Sequence, residues 1–225
     1  MEKQIIMVSG NKGKIREAQE ILKDYEIIPI NEIGINIDVE EDQNTFEGNA
    51  IKKAETIAKK LDGKMCLADD SGIQIEYLNG FPGVNTKRWH NGTDRERNLA
   101  IIEKLKGVTK ENRKVEFVTV MAISDGKNTI FATGVIDGYI AENPRGENGF
   151  GFDEIFELED GRTLAEISSE EKNIISARKK ALELLINKLK QARIFIWNAT
   201  KISWKSKWTV DRSKKNSYNI FVQKI

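Results

Sequence analysis

Two pairs of neighbouring carboxylates, Glu40-Glu41 and Asp69-Asp70, are the residues most able to do chemistry in this chain. The second pair closes the apolar run Met65–Ala68 and is followed by Ser71-Gly72, which reads as a turn. Adjacent acids repel, so they belong either in a solvated loop at a strand end or beside a shared counter-charge. Histidine supplies little help: His90 is the single one, in a polar stretch after Arg88-Trp89, and is expected as an exposed loop side chain. A Ser-His-Asp triad or a His-rich zinc site would rest on that residue alone. Hydrolytic chemistry therefore falls to carboxylates, lysines and a hard cation such as Mg²⁺. On this reading Asp69-Asp70 and Glu40-Glu41 hold Mg²⁺, the cation offsets their repulsion, and one of the acids activates water.

Two cations stand where helices should be apolar. Over 45–62 the stripe is Phe46, Ala50, Ala54, Ile57 and Leu61, and a helical wheel puts Lys53 beside Phe46 and Ile57. In a last helix the stripe is Ile174, Ile175, Ala181, Leu182, Leu185 and Leu189, with Arg178 at its centre. Such residues are seldom buried unpaired, so the plain reading is a structural ion pair or a lysine stem reaching out to water. The functional reading is a cleft built for an anion. Ser9, Gly10, Asn11, Lys12, Gly13 and Lys14 form a strand–turn–helix junction, where free N–H groups and the helix dipole favour phosphate. That junction is too short for a Walker A loop. Lys172 opens the last helix, and Gly149-Phe150-Gly151-Phe152-Asp153 combines close backbone approach with aromatic faces. Lysines beside carboxylates suit metal-assisted phosphoryl chemistry.

These residues must be carried by a mixture of strands and helices. Gln4–Ser9 and Glu26–Ile30 read as strands around a helix bearing Ile15, Ala18, Ile21, Leu22 and Tyr25. Ile33, Ile35, Ile37 and Val39 alternate as in a half-buried strand. Asn44-Thr45-Phe46-Glu47 and Thr93-Asp94-Arg95-Glu96 look like capping boxes opening helices that end near Gly63 and Gly107. A Met65–Ala68 strand is followed by alternation at Ile73, Ile75 and Tyr77. Val115–Ser124 and Thr129–Ile140 flank Asp125-Gly126 as a hairpin. Ser168-Ser169-Glu170-Glu171 caps one long helix through about Lys190. Without strict βαβ alternation, the expected class is α/β with a mixed sheet.

The 225 residues allow one large domain or a domain with an appendage. Cys66 is the only cysteine, which excludes an internal disulfide framework and suits a reducing compartment. The N-terminal apolar run is too short for a secretory leader, and no stretch has the apolar length of a membrane span. A cytoplasmic protein is expected. The net charge of +1 conceals an asymmetry: residues 191–225 hold eight of the 36 basic residues and one of the 35 acidic ones, leaving 28 against 34 in the body. Trp197, Trp204 and Trp208 share that tail. A boundary near 190 follows, giving a body over 1–190 and a basic, aromatic extension over 191–225, which is either added strands or a nucleic-acid surface.

Six motifs, in order, carry a family resemblance. They are Ser-Gly-Asn-Lys-Gly-Lys (9–14), Thr-Phe-Glu-Gly-Asn-Ala (45–50), Ala-Asp-Asp-Ser-Gly (68–72), Asn-Gly-Phe-Pro-Gly-Val (79–84), Gly-Phe-Gly-Phe-Asp (149–153) and Glu-Lys-Asn-Ile-Ile-Ser-Ala-Arg (171–178). From about residue 3 to 190 the chain resembles the inosine triphosphate pyrophosphatase family. The resemblance implies an elongated, two-lobed α/β fold around a long mixed sheet, with the active-site cleft between the lobes, usually as a homodimer. It implies Mg²⁺-dependent cleavage of dITP, ITP or XTP to monophosphate and pyrophosphate. It makes Asp70 the catalytic acid and a metal ligand, and Glu41 the metal-binding glutamate, with Glu40 its alternative. Ser9–Lys14, Lys53, Ser71 and Lys172 become phosphate-side contacts, while Phe150, Gly151, Phe152, Asp153, Ala177 and Arg178 become nucleoside-side contacts. The chain departs from the pattern at Ser9 (usually Thr), Phe152 (Tyr), Glu154 (commonly Pro) and Ala177 (His). Residues 191–225 have no counterpart. The sequence also allows two other functions: a pyrophosphatase for a modified pyrimidine nucleotide, and a nucleic-acid-binding protein acting through the tail.

Overall fold

The computed structural model describes residues 4–35 and 39–203. Among these, β1 (Gln4–Met7), β2 (Glu26–Pro29), β3 (Cys66–Ile75), β4 (Phe81–Pro82), β5 (Lys114–Ser124), β6 (Thr129–Ile140) and β7 (Phe156–Glu157) form one mixed sheet in the order β2-β1-β3-β5-β6-β7, with β4 added at β3. β1 runs parallel to β2 and β3, and the remaining pairings are antiparallel. The helices are α1 (Lys12–Ile21), α2 (Phe46–Lys60), α3 (Asp94–Lys104), α4 (Ser169–Ile175) and α5 (Ala177–Ser203).

Alternation along the long strands sorts the core into three clusters. At the β1 end, Leu67, Met121 and Ile123 face α1 and α5, while Ala68, Val120 and Ala122 face α2. At the far end Ile73, Ile75, Val115 and Ile136 pack with α3 and with Phe152, Ile155 and Phe156. β3, β5 and β6 thus run from one lobe into the other, and Asp69–Gly72 lie where β3 crosses between them.

That continuity corrects the expected turn. Asp69, Asp70, Ser71 and Gly72 are mid-strand residues, each paired in register with Met121, Val120, Thr119 and Val118 of β5. Gly72 is required there: a methyl group at its Cα would collide with the Thr86 hydroxyl and crowd the Gly83 carbonyl at 2.8 Å. The single helix expected after Ser168 is two. Ser176 adopts an extended conformation, and its Oγ accepts from Lys179 N–H at 3.1 Å, ending α4 and capping α5. Ile174 is consequently 72 % exposed rather than part of a buried stripe.

Ile33 ends a 3₁₀ turn over Ile30–Ile33 instead of alternating in a strand, and Ile37 lies outside the described residues. Thr45, not Asn44, caps α2; its N3 position is Gly48, so no carboxylate returns the bond. The box at Thr93 and Glu96 is complete. The Asp125-Gly126 hairpin joins β5 and β6 as expected. His90 is half-buried against the Trp89 ring at 5.1 Å, not an exposed loop residue. Backbone helix continues past 190 to Ser203, so the first part of the extension is not one of the added strands offered as an alternative for it. The extension from 204 onward lies outside the described residues.

Candidate active site

The strand-to-helix junction after β1 forms as its residue types dictate. Asn11 caps α1, with Oδ1 accepting from Gly13 N–H at 2.9 Å and Lys14 N–H at 3.1 Å. The Ser9 hydroxyl accepts from Asn11 N–H at 3.2 Å. Those three donors are therefore committed to the turn, while Gly10 and Lys12 stand exposed beside it. The junction's contribution to anion binding passes chiefly to the Lys14 ammonium.

Because the side-chain period of a strand is two, Asp69 and Asp70 point to opposite faces of the sheet. Asp69, 2 % exposed, faces α1 and α5. Its Oδ2 meets Lys14 Nζ at 2.8 Å, Arg178 Nη2 at 3.1 Å and the Ser71 hydroxyl at 2.9 Å. Burial alone would raise its carboxyl, but Lys14, Arg178 and Lys53 hold it well below the usual carboxylate range. Lys14 is pushed down from its ordinary value by burial and by cationic neighbours, despite the Asp69 pair. The same face carries Glu17, 4 % exposed, which pairs with Arg178 and with Lys172 at 2.8 Å. Arg178 also donates to the Ser71 hydroxyl at 3.2 Å, and its Nε–H has no partner among the described residues.

On the α2 face, Asp70 Oδ2 accepts from Asn49 Nδ2 at 2.9 Å, and Oδ1 accepts from Ser71 N–H at 3.1 Å. Lys53 Nζ stands 3.8 Å from Asp70 and 2.5 Å from Glu41 Oε1, so the two carboxylates face each other across one ammonium. The second Glu41 oxygen takes Arg88 at 3.0 Å. Burial pushes the Asp70 carboxyl up, only partly offset by Lys53 and the Asn49 amide. Burial works against the Lys53 charge as well, but Asp69, Asp70 and Glu41 hold it above its ordinary value. Glu41 and Asp70 are hard oxygen donors of the kind Mg²⁺ takes. Among the described residues no three His, Cys, Asp or Glu side chains gather at one point, so water and substrate oxygens would supply the other ligands.

The sheet thus separates what the sequence reading joined. Asp69 and Asp70 point to opposite faces of the strand, and their direct side-chain contacts are with different cations, Lys14 and Arg178 for Asp69 and Lys53 for Asp70, although the Lys53 charge acts on both. Glu40 is exposed, and Glu41 is the member of its pair that reaches Lys53.

A cleft of about 60 Å³ opens between the lobes, lined by Lys14, Ser71, Asn98, Phe150, Phe152 and Arg178, among others. Phe150 is half-buried; its N–H donates to Asp153 Oδ2 at 2.8 Å, and Lys172 Nζ lies 4.5 Å from its ring centre. Lys172 Nζ also binds Asp153 Oδ2 at 2.6 Å and Glu17 Oε1 at 2.8 Å. Burial raises the Asp153 carboxyl, with Lys172 opposing. Phe152 is 6 % exposed and edge-on to Phe117 at 6.5 Å, so it presents little free face. Ala177 is 2 % exposed within the far-end core.

Glu17 was missed by the sequence reading, although Lys14, Glu17, Ala18 and Ile21 share one helical face and an acid there needed an explanation. Gly13 carries a testable consequence. A methyl group at its Cα would run into the Phe150 ring. Gly13→Ala favours the helix by roughly 1 kcal/mol, so its melting temperature is expected to hold or rise. The KM for the substrate should nevertheless increase several-fold as Phe150 swings away; unchanged KM would show that the ring's position is immaterial.

A long mixed sheet with a carboxylate–lysine centre on each face at the junction of two lobes, and no histidine in either, is the arrangement of an α/β enzyme for polyphosphate anions. The chain belongs to the Ham1 family, whose model matches residues 5–188. It is 44% identical over 199 residues to the dITP/XTP pyrophosphatase of Clostridium perfringens, covering 84% of this chain and 98% of that one. The Bacillus subtilis dITP/XTP pyrophosphatase is 44% identical over 189 residues, covering 81% and 95%. Among solved structures, a HAM1 protein from Coxiella burnetii superposes with a TM-score of 0.75 at 40% identity, covering 85% of this chain and 100% of that one. The Staphylococcus aureus Ham1 protein gives 0.74 at 39%, covering 84% and 99%.

Proposed function

We propose that this chain is a Mg²⁺-dependent nucleoside triphosphate pyrophosphatase for deaminated purine nucleotides, releasing a monophosphate and pyrophosphate from dITP, ITP or XTP. The observation that carries the mechanism is the Asp70–Lys53–Glu41 arrangement on the α2 face, where a buried carboxylate with a raised pKa faces a second carboxylate across a lysine. Asp70 accepts the proton of the water that attacks the α-phosphorus, and the bond to the bridging oxygen of the pyrophosphate breaks. Asn49 holds Asp70 in place through one oxygen, leaving the other directed at Lys53. Lys53 and Lys14 offset the charge of the leaving pyrophosphate. Glu41 and Asp70 would hold Mg²⁺, and a cation there would supply Lewis-acid polarisation of the phosphate oxygens. Phe150 lies beneath the base, and the unpartnered Arg178 Nε–H is a donor of the kind a 6-oxo group accepts. A homodimer and a cytoplasmic location complete the reading, supported by the family resemblance. No helix among the described residues is long and apolar enough to cross a membrane.

The test is a panel of nucleoside triphosphates with Mg²⁺, assayed separately for pyrophosphate and orthophosphate. Pyrophosphate is the expected immediate product from ITP, dITP and XTP. Turnover should vanish in EDTA and return on adding Mg²⁺. Orthophosphate as the first product, or undiminished turnover in EDTA, would overturn the reading.

A further inference from the structure

The aromatic loop is fastened to α3, its neighbour in the far-end core, through three side chains. Asn98 of α3 is 1 % exposed, and its Nδ2 donates to the Gly151 carbonyl at 2.8 Å and to Glu154 Oε1 at 2.9 Å. Both partners only accept, so the orientation of the amide is determined by them. The other Glu154 oxygen accepts from Arg95 Nη1 at 2.6 Å, three residues earlier on the same face of α3. Gly151 is the residue between Phe150 and Phe152, so holding its carbonyl sets the direction in which the Phe150 ring leaves the backbone. From the β1 end the ring is limited by Gly13, and Asp153 of the loop itself, paired with Lys172, accepts from Phe150 N–H.

We propose that Glu154, acting through Asn98, is a positioning residue that holds the Phe150 ring at the height over Gly13 where a nucleoside base packs against it. The inference rests on the nucleoside-side reading of Phe150. Without the carboxylate, Asn98 Nδ2 keeps only the Gly151 carbonyl as partner, and that carbonyl is held by an amide no longer fixed from its other side. A side chain at 154 without an acceptor would leave Arg95 and Asn98 without this partner.

The experiment is a double-mutant cycle with Glu154→Ala and Phe150→Ala, read as KM and kcat for ITP together with melting temperature. Phe150→Ala alone should raise KM. Glu154→Ala should raise KM by about tenfold, the scale of a charge-linked hydrogen-bond network, with kcat and melting temperature nearly unchanged. In the Phe150→Ala background it should add nothing, because a residue acting through another shows no separate effect once that other is gone. Glu154→Gln keeps an acceptor for Asn98 and should recover most of the affinity. Should Glu154→Ala fail to fold, the exposed Arg95→Ala replaces it, with a smaller KM rise and the same loss of effect beside Phe150→Ala. Full additivity, an unchanged KM, or a fall in melting temperature with unaltered kinetics would overturn the clamp. An unchanged KM in Phe150→Ala alone would instead overturn the nucleoside-side reading, and the clamp with it.

Discussion

Asp70→Asn is expected to lower kcat by at least about a hundredfold, the lower range for loss of a general base, while the melting temperature holds or rises. The two halves of this expectation come from one geometry. Asp70 is 6 % exposed, its nearest cation is 3.8 Å away, and burial raises its pKa. A charge kept in such a place costs folding stability, so removing it relieves the fold. The asparagine carbonyl still accepts from Asn49, which keeps the strand and α2 in contact. What is lost is the capacity to take a proton from water. Near-normal turnover in this variant, measured as pyrophosphate release, would remove Asp70 from the mechanism.

Asp69→Ala should behave in the opposite way. It strips the common partner from Lys14 and Arg178, both on the α1–α5 face, and Ser71 loses its acceptor. Removing one side of a buried pair costs roughly 3–5 kcal/mol, because the remaining charge has nowhere to go. Chemical denaturation should show that loss as a lower midpoint with an unchanged slope. Residual folded protein should keep Asp70 in place and retain measurable turnover. A stable Asp69→Ala protein with abolished activity would mean that Asp69, and not its neighbour, does the chemistry.

Local signals were the legible part of the chain. The Thr93–Glu96 box, the Asp125-Gly126 hairpin and the turn at Asn11 depend on residues within a few positions of each other, and each forms where expected. The wheel positions of Lys53 and Arg178 were informative for the same reason: Lys53 is half-buried and paired with Glu41, and Arg178 is buried, paired with Asp69 and lines the cleft. What local reading missed is set by tertiary contact. Asp, Ser and Gly disfavour strands, yet β3 runs through Asp69–Gly72 because β5 pairs with every residue and α2 and α1 each supply a cation. The break at Ser176 was hidden because helix formers stand on both sides of it, and serine serves equally as an interior residue or a cap. Ile33 alternated with its neighbours but is drawn into a 3₁₀ turn ahead of Gly34, whose φ of 74° suits glycine.

The two-faced strand has a consequence for mutation. Along β3 from Cys66 to Ser71, odd-numbered residues face α1 and α5, and even-numbered ones face α2. A single-residue insertion or deletion just before Asp69, with pairing to β5 kept by the apolar residues on either side, would invert this parity. The carboxylate now gripped by Lys14 and Arg178 would arrive beside Asn49 and Lys53, and its neighbour would turn the other way. Point substitutions can test the two acids one at a time, but a frame slip of one residue exchanges their surroundings together. Tolerance to length changes is therefore lowest in this stretch, although its composition of Asp, Ser and Gly is that of a loop.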